Sequence, residues 1–257
     1  MPDLGAVLGG RKRDGVCSFV PYVTGGLSGV DAHLLHALEG AGADAIEVGI
    51  PFSDPVMDGP VIQEASRRAI EVGAGPSSVL GTVRQARLGV PVAVMTYANP
   101  VCHAGHASFL AACVDAGVSG VIVPDLPVDE AADWVAACAE ASVSTVFIAA
   151  PDTPDARLRA IADASGGFLY CVATYGVTGA RDRLPETALE LTRRLRPVTD
   201  LPLLIGVGIT DPAQAAQARA FADGVVVGSA LVQPLLEGDR SRTLGLARAF
   251  AAAVHGT

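Results

Sequence analysis

Short apolar runs alternate regularly with longer amphipathic segments along the 257 residues, and few folds accommodate such a pattern. Each run is almost continuously hydrophobic, which is typical of parallel strands covered on both faces. The eight predicted strands are Cys17–Val23, Asp44–Gly49, Pro91–Tyr97, Gly120–Pro124, Thr145–Ala149, Gly167–Val172, Leu203–Val207 and Gly224–Gly228. Eight strands alternating with helices over this length predict an α/β fold, a (β/α)8 TIM barrel.

The chain shows no sign of a second domain or of a dinucleotide site. No linker rich in Pro or Ser divides it, so residues 1–257 are predicted to form a single domain. No Gly-x-Gly-x-x-Gly follows the first predicted strand, which argues against an open dinucleotide-binding sheet.

Composition and charge narrow the class of function. Half of the residues are hydrophobic and the formal net charge is −9, which excludes a disordered chain and makes nucleic acid an unexpected partner. No run of about 18 apolar residues occurs, so no membrane span is predicted. The five cysteines are odd in number and form no Cys-x-x-Cys, which indicates buried free thiols. Together with a start that lacks the order of a secretory signal, they predict a cytoplasmic protein.

Glu47 is the most informative candidate residue. It lies in the second predicted strand, and if Ile46 and Val48 face the surrounding helices, Glu47 faces the barrel interior. A carboxyl group there loses hydration, which raises its pKa and makes it a suitable general acid near neutral pH. The alternative is a buried glutamate that is satisfied by backbone donors or by one arginine.

Two connections are longer than one helix and two short loops require, and both follow a strand. They contain Pro51–Pro60 and Ala173–Leu184, on the side of a barrel where active sites form. Asp58 lies in the first of them, soon after Glu47, so two carboxyl groups in different environments can face one cavity and divide acid and base roles. The alternative is that Asp54 and Asp58 only cap turns.

Glycines cluster where the last three predicted strands end. They are Gly176 and Gly179 after the sixth strand, Gly206 and Gly208 at the seventh, and Gly228, followed by Ser229, at the eighth. Glycine lets the backbone approach an anion closely, and Ser229 can begin a short helix whose N–H groups face it. This is the position of the recurrent phosphate site of barrels, so we predict phosphate binding; glycines that only permit tight turns are the alternative.

No metal site is predicted. The segment from Cys102 to His106 carries ligand-type side chains, but no further partner is evident and a surface loop is the better interpretation. His33 and His36 share a helix face with Asp31, which favours solvated or interfacial histidines.

Taken together, several stretches resemble the tryptophan synthase α-subunit family over nearly the whole chain. The matching stretches are Phe19–Tyr22, Glu47–Pro55, Asp58–Gln63, Met95–Pro100, Pro124–Pro127, Gly176–Arg181 and Val227–Ala230. Glu-x-Gly-x-Pro-Phe-Ser-Asp-Pro followed by Asp-Gly-Pro is highly specific, whereas other phosphate-binding barrels share only the glycine-rich strand ends. The chain departs from the family at Gly25–Ser28, where Gly-Asp-Pro is common, and at Ala173–Tyr175, where a Ser commonly opens the loop.

The resemblance implies a carbon–carbon lyase of tryptophan biosynthesis, which cleaves indole-3-glycerol phosphate into indole and glyceraldehyde 3-phosphate by a retro-aldol reaction. Glu47 would protonate carbon 3 of the indole and then serve as base, and Asp58 would bind the indole N–H. The remaining site residues implied by the resemblance are Tyr22, Tyr97, Tyr170 and Asp125 around the indole, Thr178 as the residue that positions Asp58, and Gly179, Gly208, Gly228 and Ser229 at the phosphate.

The resemblance also implies a partner. The family's α subunit passes indole to a β subunit that carries pyridoxal phosphate, so an α2β2 complex is expected and no cofactor is expected in this chain. Two alternatives stay open. One is a stand-alone lyase that releases free indole, and the other is a weakly active barrel that serves as an allosteric partner of a β subunit. The presence of both Glu47 and Asp58 argues against the second alternative.

Overall fold

The computed structural model describes residues 2–172, 186–206 and 208–256. Thr178, Gly179 and the long connection predicted after the sixth strand therefore lie outside the described residues. Nothing in the described part is long and apolar enough, as a helix, to cross a membrane.

A closed barrel of parallel strands is built as the alternating pattern predicts. The strands are β1 (Ser18–Thr24), β2 (Ile46–Gly49), β3 (Val92–Met95), β4 (Val118–Ile122), β5 (Ser144–Val146), β6 (Ile148–Ala149), β7 (Leu169–Val172), β8 (Leu203–Gly206) and β9 (Gly224–Val227). Their order in the sheet is β5-β4-β3-β2-β1-β9-β8-β7-β6. Because β5 and β6 are separated by Phe147 alone, the two ends of this order are halves of one predicted strand. The TIM-barrel prediction is confirmed, with its fifth strand broken in two.

Helices surround the sheet. They are α1 (Leu4–Arg13), α2 (Ala32–Gly40), α3 (Pro60–Glu71), α4 (Pro76–Ala86), α5 (Ala98–Ala104), α6 (His106–Ala116), α7 (Ala132–Glu140), α8 (Asp155–Ala164), α9 (Glu186–Leu195), α10 (Pro212–Ala218), α11 (Ser229–Leu236) and α12 (Arg240–His255). The strands and the inner faces of the helices share one hydrophobic core in the described residues. The division into a single domain over 1–257 stays a prediction.

The surface loop predicted from Cys102 to His106 is wrong. Cys102 and His103 are exposed residues of α5, and His106 begins α6 with its ring edge-on to Trp134 at a centroid distance of 5.4 Å. A proline in the first turn of α5, Pro100, is compatible with a helix because the N–H it lacks would have no acceptor within the helix. Gly105, with φ of 78°, allows the sharp break between the two helices.

Two aspartates link neighbouring strands by hydrogen bonds at the point where those strands begin. Asp44 exchanges two hydrogen bonds with Phe19, since its N–H donates to the Phe19 carbonyl at 2.9 Å and its carboxylate accepts the Phe19 N–H at 2.8 Å. Asp223 makes the same pair with Leu203, at 2.9 and 2.8 Å. Both aspartates follow an alanine and precede an apolar strand, so the barrel uses one short sequence pattern twice for the same purpose.

Basic side chains surround these aspartates. The Arg11 guanidinium of α1 lies 3.0 Å from Asp44, and His255 Nε2 of α12 lies 2.8 Å from it. The Arg196 guanidinium makes two hydrogen bonds to the Asp223 carboxylate. Because these groups are mostly screened from solvent, the amino-terminal end of the barrel is held by charged hydrogen bonds as well as by packing.

We predict that Asp223→Ala lowers the free energy of unfolding by about 2–3 kcal/mol, because the Leu203 N–H and the Arg196 guanidinium lose a shared, nearly buried acceptor. Asp115→Ala is the control, because Asp115 is also paired with an arginine, Arg84. The Asp115 side chain is 66% exposed, whereas that of Asp223 is 12% exposed. The expected cost of Asp115→Ala is about 0.5 kcal/mol or less. Urea denaturation of the two variants checks this, and equal losses would contradict it.

Candidate active site

Glu47 lies inside the barrel without a hydrogen-bond partner. It is 1% exposed, with Tyr22 of β1 and Ala93 of β3 as its neighbours in the strand register. Within the described residues, neither carboxyl oxygen has a partner, so the alternative of a glutamate satisfied by backbone donors or an arginine finds no support there. Burial, and secondly the charge of Asp58, raises the pKa of Glu47 to about 8. The group is therefore mostly protonated at neutral pH.

Asp58 lies in the connection that follows β2, and hydrogen bonds hold the backbone of this connection in place. The Asp58 N–H donates to the Pro55 carbonyl at 3.0 Å. The side-chain amide of Gln63, from the first turns of α3, donates to the Asp58 carbonyl at 2.8 Å. Burial raises the pKa of the Asp58 carboxyl to about 6, while a hydrogen bond from Tyr97 opposes the rise. Two carboxyl groups with separate pKa values thus belong to one site.

Tyr97 joins the Asp58 connection to the barrel. Its hydroxyl donates to Asp58 Oδ2 at 3.1 Å and accepts the Met57 N–H at 3.0 Å. Its ring stacks on Phe52 with centroids 4.9 Å apart. Among the described residues, the Asp58 side chain bonds to a residue at another strand end and caps no turn of its own, which argues against the turn-cap alternative for Asp58.

Tyr22 and Tyr170 face the same interior, and two glycines make room for them. A side chain at Gly49 would collide with the Tyr22 hydroxyl, and one at Gly206 would collide with the Tyr170 ring. Burial raises the pKa of both tyrosines, with the charges of Asp58 and Glu47 adding to the rise. The sequence analysis does not predict that Gly49 makes room for Tyr22, although a glycine inside a strand often marks the close approach of another group.

Asp125 supports the end of β3 from the neighbouring connection after β4. Its carboxylate accepts the N–H of Ala98 at 2.8 Å, at the first residue of α5 and directly after Tyr97. A carboxylate there satisfies an otherwise unpaired N–H at the positive end of the helix dipole. The contact shown for Asp125 is thus with the backbone that carries Tyr97.

The predicted phosphate residues that are described lie after β8 and β9. Gly228 precedes α11, and its carbonyl accepts the N–H groups of Leu231 and Val232. By helix geometry the N–H groups of Ser229 and Ala230 have no acceptor within the helix. Gly208 has φ of 96°, a left-handed conformation that favours glycine. Gly179 lies outside the described residues, as does Thr178.

Ligand types for a metal are not grouped in this part of the chain. Among the described residues, no three His, Cys, Asp or Glu side chains could hold a metal ion together. Cys17, Cys113, Cys138 and Cys171 are buried free thiols as predicted, whereas Cys102 is exposed. The titratable side chains described at the carboxyl end of the barrel include the two carboxyl groups and the tyrosines.

We predict that Glu47→Gln stabilises the fold, and more so at pH 8 than at pH 5. The folded state raises the pKa of Glu47 from 4.5 to about 8, so the stability associated with the protonated group is fully present below about pH 4.5 and is lost as the pH rises through 8. An uncharged amide avoids this loss, which is on the order of a few kcal/mol. Urea denaturation at both pH values measures it.

Glu64→Gln is the matched control. The pKa of this exposed glutamate of α3 is lowered to about 2 by hydrogen bonds from Arg67 and Arg68. It is therefore ionised at both pH values, and its replacement should have the same effect at each. A pH-independent effect of Glu47→Gln would contradict the assignment of a raised pKa to Glu47.

Comparison with known proteins identifies one family that matches nearly the whole chain. The family described as "Tryptophan synthase alpha chain" matches residues 10–254. The tryptophan synthase alpha chain of Streptomyces avermitilis is 43% identical, with 96% of this chain and 91% of that protein covered. That of Streptomyces coelicolor is also 43% identical, with 97% and 94% covered.

Solved structures agree with the sequence comparison. A tryptophan synthase structure from Mycobacterium tuberculosis superposes with a TM-score of 0.90 at 40% identity, over 98% of each chain. A structure from Pyrococcus furiosus, described as that of a tryptophan synthase α2β2 complex, gives a TM-score of 0.85 at 38% identity, with 95% of this chain and 98% of that chain covered. The chain belongs to the tryptophan synthase alpha chain family.

Proposed function

We propose that this chain cleaves indole-3-glycerol phosphate into indole and glyceraldehyde 3-phosphate, as the α subunit of a tryptophan synthase. The observation that carries the proposal is the Glu47 carboxyl, buried without a hydrogen-bond partner in the described residues and with its pKa raised to about 8. Burying an ionisable group in this way is costly, and it is typical of sites that need an acid near neutral pH.

The reaction needs one proton given and one proton taken. Glu47 gives its proton to carbon 3 of the indole ring, which converts the ring to an indolenine with positive charge at nitrogen. The bond between carbon 3 and the side chain then breaks, and its electron pair returns to the ring to form indole. The hydroxyl on the departing carbon loses its proton to the Glu47 carboxylate, and that carbon becomes the aldehyde of glyceraldehyde 3-phosphate. Glu47 ends protonated again, as it began.

Asp58 stabilises the charge that develops during the first step. Its pKa of about 6 lies below that of Glu47, so at neutral pH Asp58 is mostly ionised while Glu47 mostly holds its proton. A carboxylate bonded to the indole N–H attracts the positive charge of the indolenine in a site shielded from water. The two groups thus divide the roles of acid and electrostatic stabiliser.

Aromatic and backbone groups bind the rest of the substrate. Tyr22, Tyr97 and Tyr170 surround the indole, with Asp125 beside them. The phosphate lies at Gly179, Gly208, Gly228 and Ser229, where N–H groups at the start of α11 bind it. Thr178, which lies outside the described residues, is the residue that the family resemblance implies as a further positioning group for Asp58. A methyl group placed on Gly228 would lie 3.5 Å from the Tyr22 ring, and this proximity supports one continuous pocket.

We expect Gly228→Val to raise the substrate KM strongly. A branched side chain there would block the approach of the phosphate to the backbone N–H groups of α11 and would press on Tyr22. Gly208→Val should act likewise, because its φ of 96° is strained for valine. Steady-state kinetics of these variants and of Arg181→Ala distinguish phosphate binding by backbone N–H groups from binding by a basic side chain. A larger effect of Arg181→Ala than of either glycine change would show that a side chain binds the phosphate.

Glu47→Gln should lower kcat by at least about 10²–10⁴-fold, since the amide fills the same space but has no acidic proton to give. Substrate affinity should stay near that of the parent chain. The assay is release of indole from indole-3-glycerol phosphate by the pure chain, with binding measured by calorimetry. Turnover close to that of the parent would remove Glu47 from the catalytic role.

The partner we propose is a tryptophan synthase β subunit in an α2β2 complex within the cytoplasm, with pyridoxal phosphate in the β subunit and none in this chain. Support comes from the Pyrococcus furiosus relative, which is described as such a complex. The indole-release assay repeated with added β subunit separates the alternatives. Acceleration supports the α-subunit role, full activity alone supports a stand-alone lyase, and activity near background in both conditions supports an allosteric barrel.

A further inference from the structure

Tyr97 is the side chain through which the barrel holds both the backbone and the carboxylate of the Asp58 connection. Its hydroxyl accepts the Met57 N–H and donates to Asp58 Oδ2. The residue is 2% exposed and its ring is stacked on Phe52. Because the hydroxyl oxygen is engaged by a backbone donor, its single proton is directed to Asp58, and the aspartate has a fixed partner before any substrate arrives.

Two further hydrogen bonds hold the backbone on either side of the contact between Tyr97 and Asp58. Asp125 fixes the N–H of Ala98, the residue after Tyr97, and so holds the strand end from which the tyrosine projects. Gln63 separately holds the Asp58 carbonyl. Backbone position is thus secured by Gln63, and among the described residues the only hydrogen bond to the Asp58 carboxylate comes from Tyr97.

We propose that Tyr97 is a positioning residue for Asp58, whose hydroxyl holds the carboxylate in the orientation that accepts the indole N–H. The inference rests on the proposed function, because that function assigns Asp58 to the indole nitrogen. A residue that only lines the pocket needs its ring, whereas a positioning residue needs its hydroxyl. Tyr97→Phe separates the two roles, since it keeps the ring on Phe52 and removes one oxygen atom.

The charged and titratable groups around Asp58 determine what the loss of that oxygen does. Within the described residues, Glu47 of β2, Tyr22 of β1 and Tyr170 of β7 face Asp58, besides Tyr97 itself. The Tyr97 hydrogen bond holds the pKa of Asp58 below the value that burial alone would give. Without it, the neutral form of Asp58 persists to higher pH, and a neutral carboxyl group binds the indole N–H less well.

The test measures substrate binding in a chain that cannot turn over. In the Glu47→Gln background, calorimetry gives the dissociation constant of indole-3-glycerol phosphate between pH 5 and 8. A rise of about one unit in the pKa of Asp58, from about 6, lowers its ionised fraction about fivefold at pH 6 and very little at pH 8. We therefore expect Tyr97→Phe to weaken binding about fivefold at pH 6 and hardly at all at pH 8. A loss of packing alone would weaken binding equally at both pH values.

Tyr22→Phe is the matched control. It removes another buried hydroxyl from the same interior, one that lies 3.4 Å from Thr24 Oγ1 and, in the described part of the chain, does not donate to Asp58. Whatever its effect on affinity, the shape of the pH dependence should stay that of the Glu47→Gln chain. A shift as large as that of Tyr97→Phe would overturn the inference.

A double-mutant cycle with Asp58→Asn completes the test. If Tyr97 acts through Asp58, then Tyr97→Phe has no further pH-dependent effect once Asp58 is replaced by asparagine. A persisting effect, or equal weakening at pH 6 and pH 8 in the parent background, would overturn the positioning role while leaving the proposed function intact. Failure of the Glu47→Gln chain itself to bind the substrate would instead overturn the proposed function.

Discussion

Loss of hydration at the Glu47 carboxyl links the proposed chemistry of this site to the stability of the fold. A carboxyl group inside a parallel barrel is removed from bulk solvent, and here no hydrogen-bond partner among the described residues compensates for that loss. The structure responds by keeping the group protonated near neutral pH, which lowers stability as the pH rises but leaves a proton available for transfer. The same desolvation therefore lowers stability and, in the proposed reaction, provides the acid.

The two ends of the barrel differ in how fully their carboxyl groups are hydrogen-bonded. At the amino-terminal end, Asp44 and Asp223 are surrounded by donors, so each of these charges is compensated. At the carboxyl-terminal end, Glu47 has no such partner among the described residues and Asp58 depends on Tyr97 for its hydrogen bond. A barrel can carry an uncompensated group at one end because strand pairing and charged hydrogen bonds fix the other end independently.

Through Tyr97, the geometry of the site depends on the ends of three strands and not only on the connection that carries Asp58. Tyr97 projects from the end of β3, it is supported by Asp125 after β4, and it holds Asp58 after β2. A single hydroxyl thereby couples the backbone of the Asp58 connection to the proton affinity of its carboxyl group. Preorganisation of this kind places the cost of orienting a charged group in folding rather than in substrate binding.

The barrel can be predicted from the chain alone, because continuous apolar strands and amphipathic helices have one compact arrangement at this length. Glu47 can be selected in the same way, since a carboxyl group within an apolar strand is visible in the sequence, and Asp58 is noticed because it lies in the long connection that follows that strand. Helix α5 cannot, because the short segment around Cys102 lacks a full apolar periodicity. The partners of Tyr97 and the fit of Tyr22 over Gly49 depend on contacts between residues far apart in the chain. These contacts emerge from the folded barrel, because its closure is what brings separate strand ends together.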